Sequence, residues 1–163
     1  MPTAVTFGST LATASRGISN ASVPAGSVLQ MTSVIGLSEV AVSSGTLTSV
    51  GSLSITPLFS TSKILVLATT VVHRDTGGNS GYYWAGYMYK TTATNGVSQM
   101  CDAALYQSGG DGFRQTITAY YVDSPGSTST LTYGISGARQ SGSTSATFNK
   151  GNVGHIIIME IAQ

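Results

Sequence analysis

The chain has 163 residues and a mass of 16.7 kDa, enough for one domain with a real core, yet only 8% of it is charged against a usual value of about 25%. Its seven Lys/Arg and six Asp/Glu nearly cancel to a formal +1. The cations Arg16, Lys63, Arg74, Lys90, Arg114, Arg139 and Lys150 stand singly, which excludes a nucleic-acid footprint, and high hydrophobicity with low charge excludes a disordered chain.

In chain order, residues 1–23 are small and polar, with Val5, Phe7, Leu11 and Ile18 spaced too widely for a core element. They predict an extended arm that orders only by docking, ahead of a domain over 24–163. Pro24-Ala25-Gly26 introduces a strand at 27–35. Thr46 to Ile55 places Leu47, Leu53 and Ile55 on one face, and Pro57 ends the run because proline donates no ladder hydrogen bond. Lys63 to His73 is almost continuously apolar and predicts a central strand covered on both faces.

The Gly-rich turn at 76–81 leads into Y-Y-W-A-G-Y-M-Y-K, then a strand at 97–106 and the turn S-G-G-D-G at 108–112. Over 114–122, Ile117, Ala119 and Tyr121 alternate with Thr116, Thr118, Tyr120 and Val122. Leu131, Tyr133 and Ile135 share a face after the turn D-S-P-G, where Asp123 is placed to bond ahead to the backbone. Strands at 143–148 and 154–162 complete a set of about nine. No segment carries helical periodicity, so the expectation is all-β, a jelly-roll β-sandwich of about eight or nine antiparallel strands.

Chemistry is sparse. His73 ends one apolar strand and His155 begins another, neither at a metal-ligand spacing, and a satisfied rim histidine explains each more simply than a base or ligand. Cys101 is the only cysteine, so no disulfide can close within one chain. Asp102 and Asp111 flank a turn that offers too few oxygens for calcium. No nucleophile elbow or phosphate loop occurs. We therefore expect no enzyme, no metal and no cofactor. The sequon at Asn20 lies in a Ser-rich stretch without a recognisable secretory signal, and no apolar run reaches the length of a membrane span.

Two stretches point to partners. On the aromatic strand, Tyr83, Tyr87 and Tyr89 share one face, which either fills a subunit contact or stacks on host glycan. The closing strand G-H-I-I-I-M-E-I-A-Q is apolar on both faces, whereas a sandwich strand normally keeps one face wet. One face, assigned to Ile156, Ile158 and Glu160, is expected to meet further copies of the chain, with a cation or interfacial water beside the acid.

The stretches P-A-G-S-V-L-Q (24–30), S-I-T-P-L-F-S-T-S-K-I-L-V (54–66), Y-V-D-S-P-G-S-T-S-T-L-T-Y-G-I (121–135) and H-I-I-I-M-E-I-A-Q (155–163) resemble a domain recurrent in tailed bacteriophages, found in tail-fibre heads and related virion proteins. The resemblance covers about 24–163. It implies a jelly roll akin to tumour-necrosis-factor and complement heads, a homotrimer with Ile156–Ile161 near the three-fold axis, and a place on the virion after assembly in the host cytoplasm. A fibre head normally follows a long shaft, and here only the arm precedes the domain. The expectation is therefore a capsid decoration (cement) protein, its arm contacts Val5, Phe7, Leu11 and Ile18 reaching the major capsid protein or a tail component. The alternative is a tail-fibre head or adhesin that binds host glycan.

Overall fold

The structure is a computed structural model that describes residues 23–74, 82–91, 102–107, 113–141 and 145–163. The expected arm with Val5, Phe7, Leu11 and Ile18, as well as Cys101 and Asp111, lies outside the described residues.

Ten strands occur among the described residues: β1 (Val28–Leu37), β2 (Val40–Val42), β3 (Thr48–Ile55), β4 (Lys63–Arg74), β5 (Tyr82–Lys90), β6 (Asp102–Gln107), β7 (Phe113–Asp123), β8 (Leu131–Ser141), β9 (Ala146–Phe148) and β10 (Gly154–Ile161). The larger sheet runs β1-β10-β4-β9-β2, with β7 also paired to β4; the smaller runs β3-β8-β5-β6. Every pairing is antiparallel.

Set aside the two three-residue strands, β2 and β9, and a simple order emerges. Among the eight that remain, first pairs with last, second with seventh, third with sixth and fourth with fifth. The chain is one long hairpin. Rolling it brings β10 against β4 and β8 against β5, which makes the two sheets of a jelly roll.

Alternation along each strand decides what fills the gap between the sheets. In β4, Ile64, Val66, Ala68 and Val72 point inward while Leu65, Leu67 and Thr69 point out and stay half-buried. Ile117 and Ala119 of β7 and Ile156 and Ile158 of β10 join the same core. From the other side come Val50 and Ile55 of β3, Met88 of β5 and Tyr133 and Ile135 of β8. Phe148 of β9 enters from the rim, and its ring leaves no room for a Cβ at Gly137, whose ideal position lies 2.6 Å from Phe148 Cζ. β4 is central as expected, between β10 and β7; its inward face is buried and its outward face is largely half-buried within the chain.

Candidate functional site

The closing strand carries the strongest sequence expectation, and the structure reverses its parity. Ile156, Ile158 and Glu160 have no exposed surface in the single chain. A side chain already enclosed by its own domain cannot reach a neighbouring subunit, so these three are not the contact. Nor does Glu160 meet a cation among its hydrogen-bond partners. The N–H of Leu58 donates to both of its carboxylate oxygens at 2.9 Å, the N–H of Phe59 donates at 3.1 Å, and the Gln30 side-chain amide donates at 2.6 Å. The turn after Pro57 thus aims backbone donors at the acid, and Gln30 reaches on to the Thr56 carbonyl at 2.8 Å. Full hydrogen bonding offsets the cost of burial.

The other parity of β10, His155, Ile157, Met159 and Ile161, lies on the outer face of the larger sheet. Around it are Val28, Met31 and Ile35 of β1 and Tyr120 and Val122 of β7. Of the six large hydrophobics exposed among the described residues, these five sit on this one face, with Ile35 at 76% and Tyr120 at 70%. Isolated exposed apolar residues are ordinary, but a contiguous group is not.

The outer surface of the smaller sheet is chemically different. There hydroxyls join β3 and the residue after it to β8 and the residue before it, Ser54 with Thr132 at 2.8 Å and Thr56 with Thr130 at 2.7 Å, three of the four exposed and Thr132 half-buried. Along β3 and β8 the smaller sheet therefore shows water hydroxyls, whereas the larger sheet shows it hydrocarbon.

The aromatic face of β5 is less open than the sequence suggested. Tyr89 is 3% exposed; its ring covers Gly134, where a Cβ would collide with it, and its hydroxyl pairs with Ser49 Oγ at 2.8 Å. It is therefore not a stacking platform. Tyr87 is half-buried, and the side chain of Tyr83 lies outside the described residues.

Sequence reasoning missed two polar clusters. Asp123 does not cap its turn: its Oδ2 accepts the buried Tyr133 hydroxyl at 2.6 Å and the Lys90 ammonium at 2.6 Å, tying β7 of one sheet to β5 and β8 of the other. Burial, and then the bond to Asp123, raises the Tyr133 phenol well above its ordinary value. A proton held more tightly in the folded state gives stability that is complete below the unfolded tyrosine value near 10 and drains away as pH climbs from there toward the folded value. Urea titrations of the wild type should show a loss of stability above about pH 10 that Tyr133→Phe removes; an unchanged high-pH slope in Tyr133→Phe overturns this assignment.

The second cluster centres on Asn149, fully buried with φ of 58°. Its amide donates to the carbonyls of Ser38 at 2.9 Å and Val50 at 2.5 Å, and its side-chain oxygen accepts from Thr70 Oγ1 at 2.8 Å. Neither cluster converges with a histidine or a nucleophile in a cleft. Among the described residues no group of three or more His, Cys, Asp or Glu could hold a metal, and no helix is long and apolar enough to cross a membrane.

No family model matches the chain, and a search of curated proteins finds no match. Among solved structures, the chain is similar to a structure of the Gx strain of infectious bursal disease virus, at 11% identity and a TM-score of 0.43 over 80% of this chain and 32% of the other. It is also similar to a mutant VP2 protein of infectious bursal disease virus in derived T=1 particles, at 11% identity and a TM-score of 0.39 over 82% and 36%. The chain spans about a third of the length of these proteins.

Proposed function

We propose that the protein is a non-enzymatic structural component of a virion surface, a homotrimer that decorates the capsid and cements its shell. The observation that carries this reading is the apolar outer face of the larger sheet, beside an outer face of hydroxyls on the smaller one. A surface of that kind, in a chain with little net charge to keep copies apart, favours assembly over free existence. The jelly-roll order and the resemblance of residues 24–163 to phage virion domains agree with it. Such a protein stabilises a shell by mass action, binding the assembled state and not the dissociated one. The arm over 1–23 would be the clamp on the capsid, through Val5, Phe7, Leu11 and Ile18. An adhesin finds less support, because Tyr89 is enclosed.

Cryo-EM of virions carrying the labelled protein tests this reading: density at three-fold positions of the shell is expected, and density at the tail tip overturns decoration. Deleting residues 1–22 should leave a folded trimer that no longer joins particles. Normal incorporation of the truncated protein overturns the role of the arm.

A further inference from the structure

The larger sheet ends on a long strand that is open along one side. β1 pairs with β10, and among the described residues no strand pairs along its other edge. It has 10 residues, against about 5–6 for a usual strand, and V-L-Q-M-T-S-V-I-G-L contains no charged residue and no proline. Short length, charge and proline are the devices that keep an edge from pairing, and β1 has none of them. Its irregularities are register shifts at the two ends, between Val28 and Gln30 and between Ile35 and Leu37. From Gln30, opposite Glu160, to Ile35, opposite His155, the register is unbroken.

Burial along the strand shows the same openness. In β10 every second side chain is buried, whereas in β1 only Leu37 is. Thr32 and Val34 stand beside the buried Ile158 and Ile156, on the core side of the sheet, yet both are only half-buried. A further strand laid along β1 would complete their cover and satisfy the free N–H and C=O groups of the edge.

We propose that the free edge of β1 takes an added strand from the shell protein, an extended, uncharged segment with an apolar side chain at every second position. The inference rests on the reading of the protein as a shell decoration and names the edge by which it is held. In such an addition backbone hydrogen bonds supply the pairing, and alternate side chains choose the partner. Apolar residues of the added strand would lie beside Met31 and Ile35, both exposed, where β1 offers a charged side chain no counter-ion. Two observations select the shell protein as the source. The Gly26 N–H donates to the Ala162 carbonyl at 2.9 Å, and the Ala162 N–H donates to the Ser27 carbonyl at 2.9 Å, so the described chain enters the fold beside the head of β1. An arm that grips the shell from that point brings shell protein alongside this edge. A second copy fits less well, because β1 against β1 is a two-fold contact that makes pairs and not trimers.

Hydrogen exchange on the full-length protein, free and mounted on particles, tests the edge. Amides between Gln30 and Ile35 that point away from β10 should exchange fast in the free protein and become protected on the particle. Unchanged exchange on the particle overturns the added strand. Protection already present in the free protein and lost on deleting residues 1–22 gives the edge to the chain's own arm, and overturns the shell protein as its occupant. Protection in the free protein that grows with concentration gives it to a second copy, with the same consequence.

A variant supplies an independent readout. Ser33 is exposed at the middle of the edge, so Ser33→Lys adds the charge that natural edges carry without disturbing the interior. It should keep the circular dichroism and light-scattering mass of the wild type but lose most of its occupancy on particles. Ser54→Lys, on β3 of the smaller sheet, should load as the wild type does. Wild-type loading by Ser33→Lys overturns the edge while leaving decoration intact. Absence of the wild type from the shell overturns decoration and the edge together.

Discussion

Replacing Glu160 by Ala is expected to lower the unfolding free energy by about 3–5 kcal/mol, a loss on the scale of breaking a buried charged contact. The truncation strands three buried or part-buried donors at once, the N–H groups of Leu58 and Phe59 and the amide of Gln30. Each orphaned donor costs about 1–3 kcal/mol. Glu160→Gln keeps the shape and one acceptor oxygen, so it should lose about half as much. Urea unfolding measures both, since the midpoint moves while the slope stays constant. The same variants separate the present assignment of Glu160 from an intersubunit one. A carboxylate inside the chain affects monomer stability at every protein concentration, whereas one at a contact acts only through association. A Glu160→Ala protein within 1 kcal/mol of the wild type, or one destabilised only on dilution, overturns the internal role.

Asn149→Asp should be nearly as damaging, at about 3 kcal/mol or more. The Asn149 amide gives its two protons to the carbonyls of Ser38 and Val50, and an aspartate would turn oxygens toward those oxygens in a site without exposed surface. Around this side chain the link after β1, strand β3 and strand β4 converge, so both sheets feel its loss. For a chain of this length 1 kcal/mol moves Tm by about 2–4 °C, which sets the expected fall at roughly 6–12 °C by calorimetry. Asn149→Gly accepts the left-handed backbone at φ of 58° but forfeits the hydrogen bonds, and belongs between wild type and Asp. A Gly variant as stable as the wild type would show that only the backbone conformation matters.

How far the sequence speaks for itself depends on whether a strand has two unlike faces. β7 does: Ile117, Ala119 and Tyr121 against Thr116, Thr118 and Tyr120 fixes which side is inward, and the structure agrees. β10 does not, because Ile156 to Met159 is apolar on both parities and period-two alternation carries no sign. The acid then misled. Glu is almost never fully buried without a partner, so Glu160 pointed outward by statistics. Its partners are backbone groups of a turn about a hundred residues upstream, and no local pattern announces a backbone donor. Asn149 was hidden for the same reason. Beside Lys150-Gly151 it resembles any loop asparagine, and only closure of the roll carries it to Val50 and Thr70. Tyr89 shows the converse: the aromatic strand was legible, but not that Gly134, across the ladder, would hold the ring down.

The pairing of β1 with β10 has a consequence for the order of events in making the protein. β10 is the inner strand between β1 and β4, so the larger sheet is split into two pieces until residues 154–161 have been synthesised. Closing the outermost rung of a hairpin this long must precede any reward from its contacts, which makes the fold slow and its half-built sheet sticky. On the outer face, Met159 and Ile157 of β10 lie between Met31 and Ser33 of β1 and Leu65 and Leu67 of β4. A partial chain therefore never displays the complete apolar face. Under the proposed function, only a chain that has finished folding would carry the credential for assembly, and incomplete copies would stay out of the particle without any separate inspection.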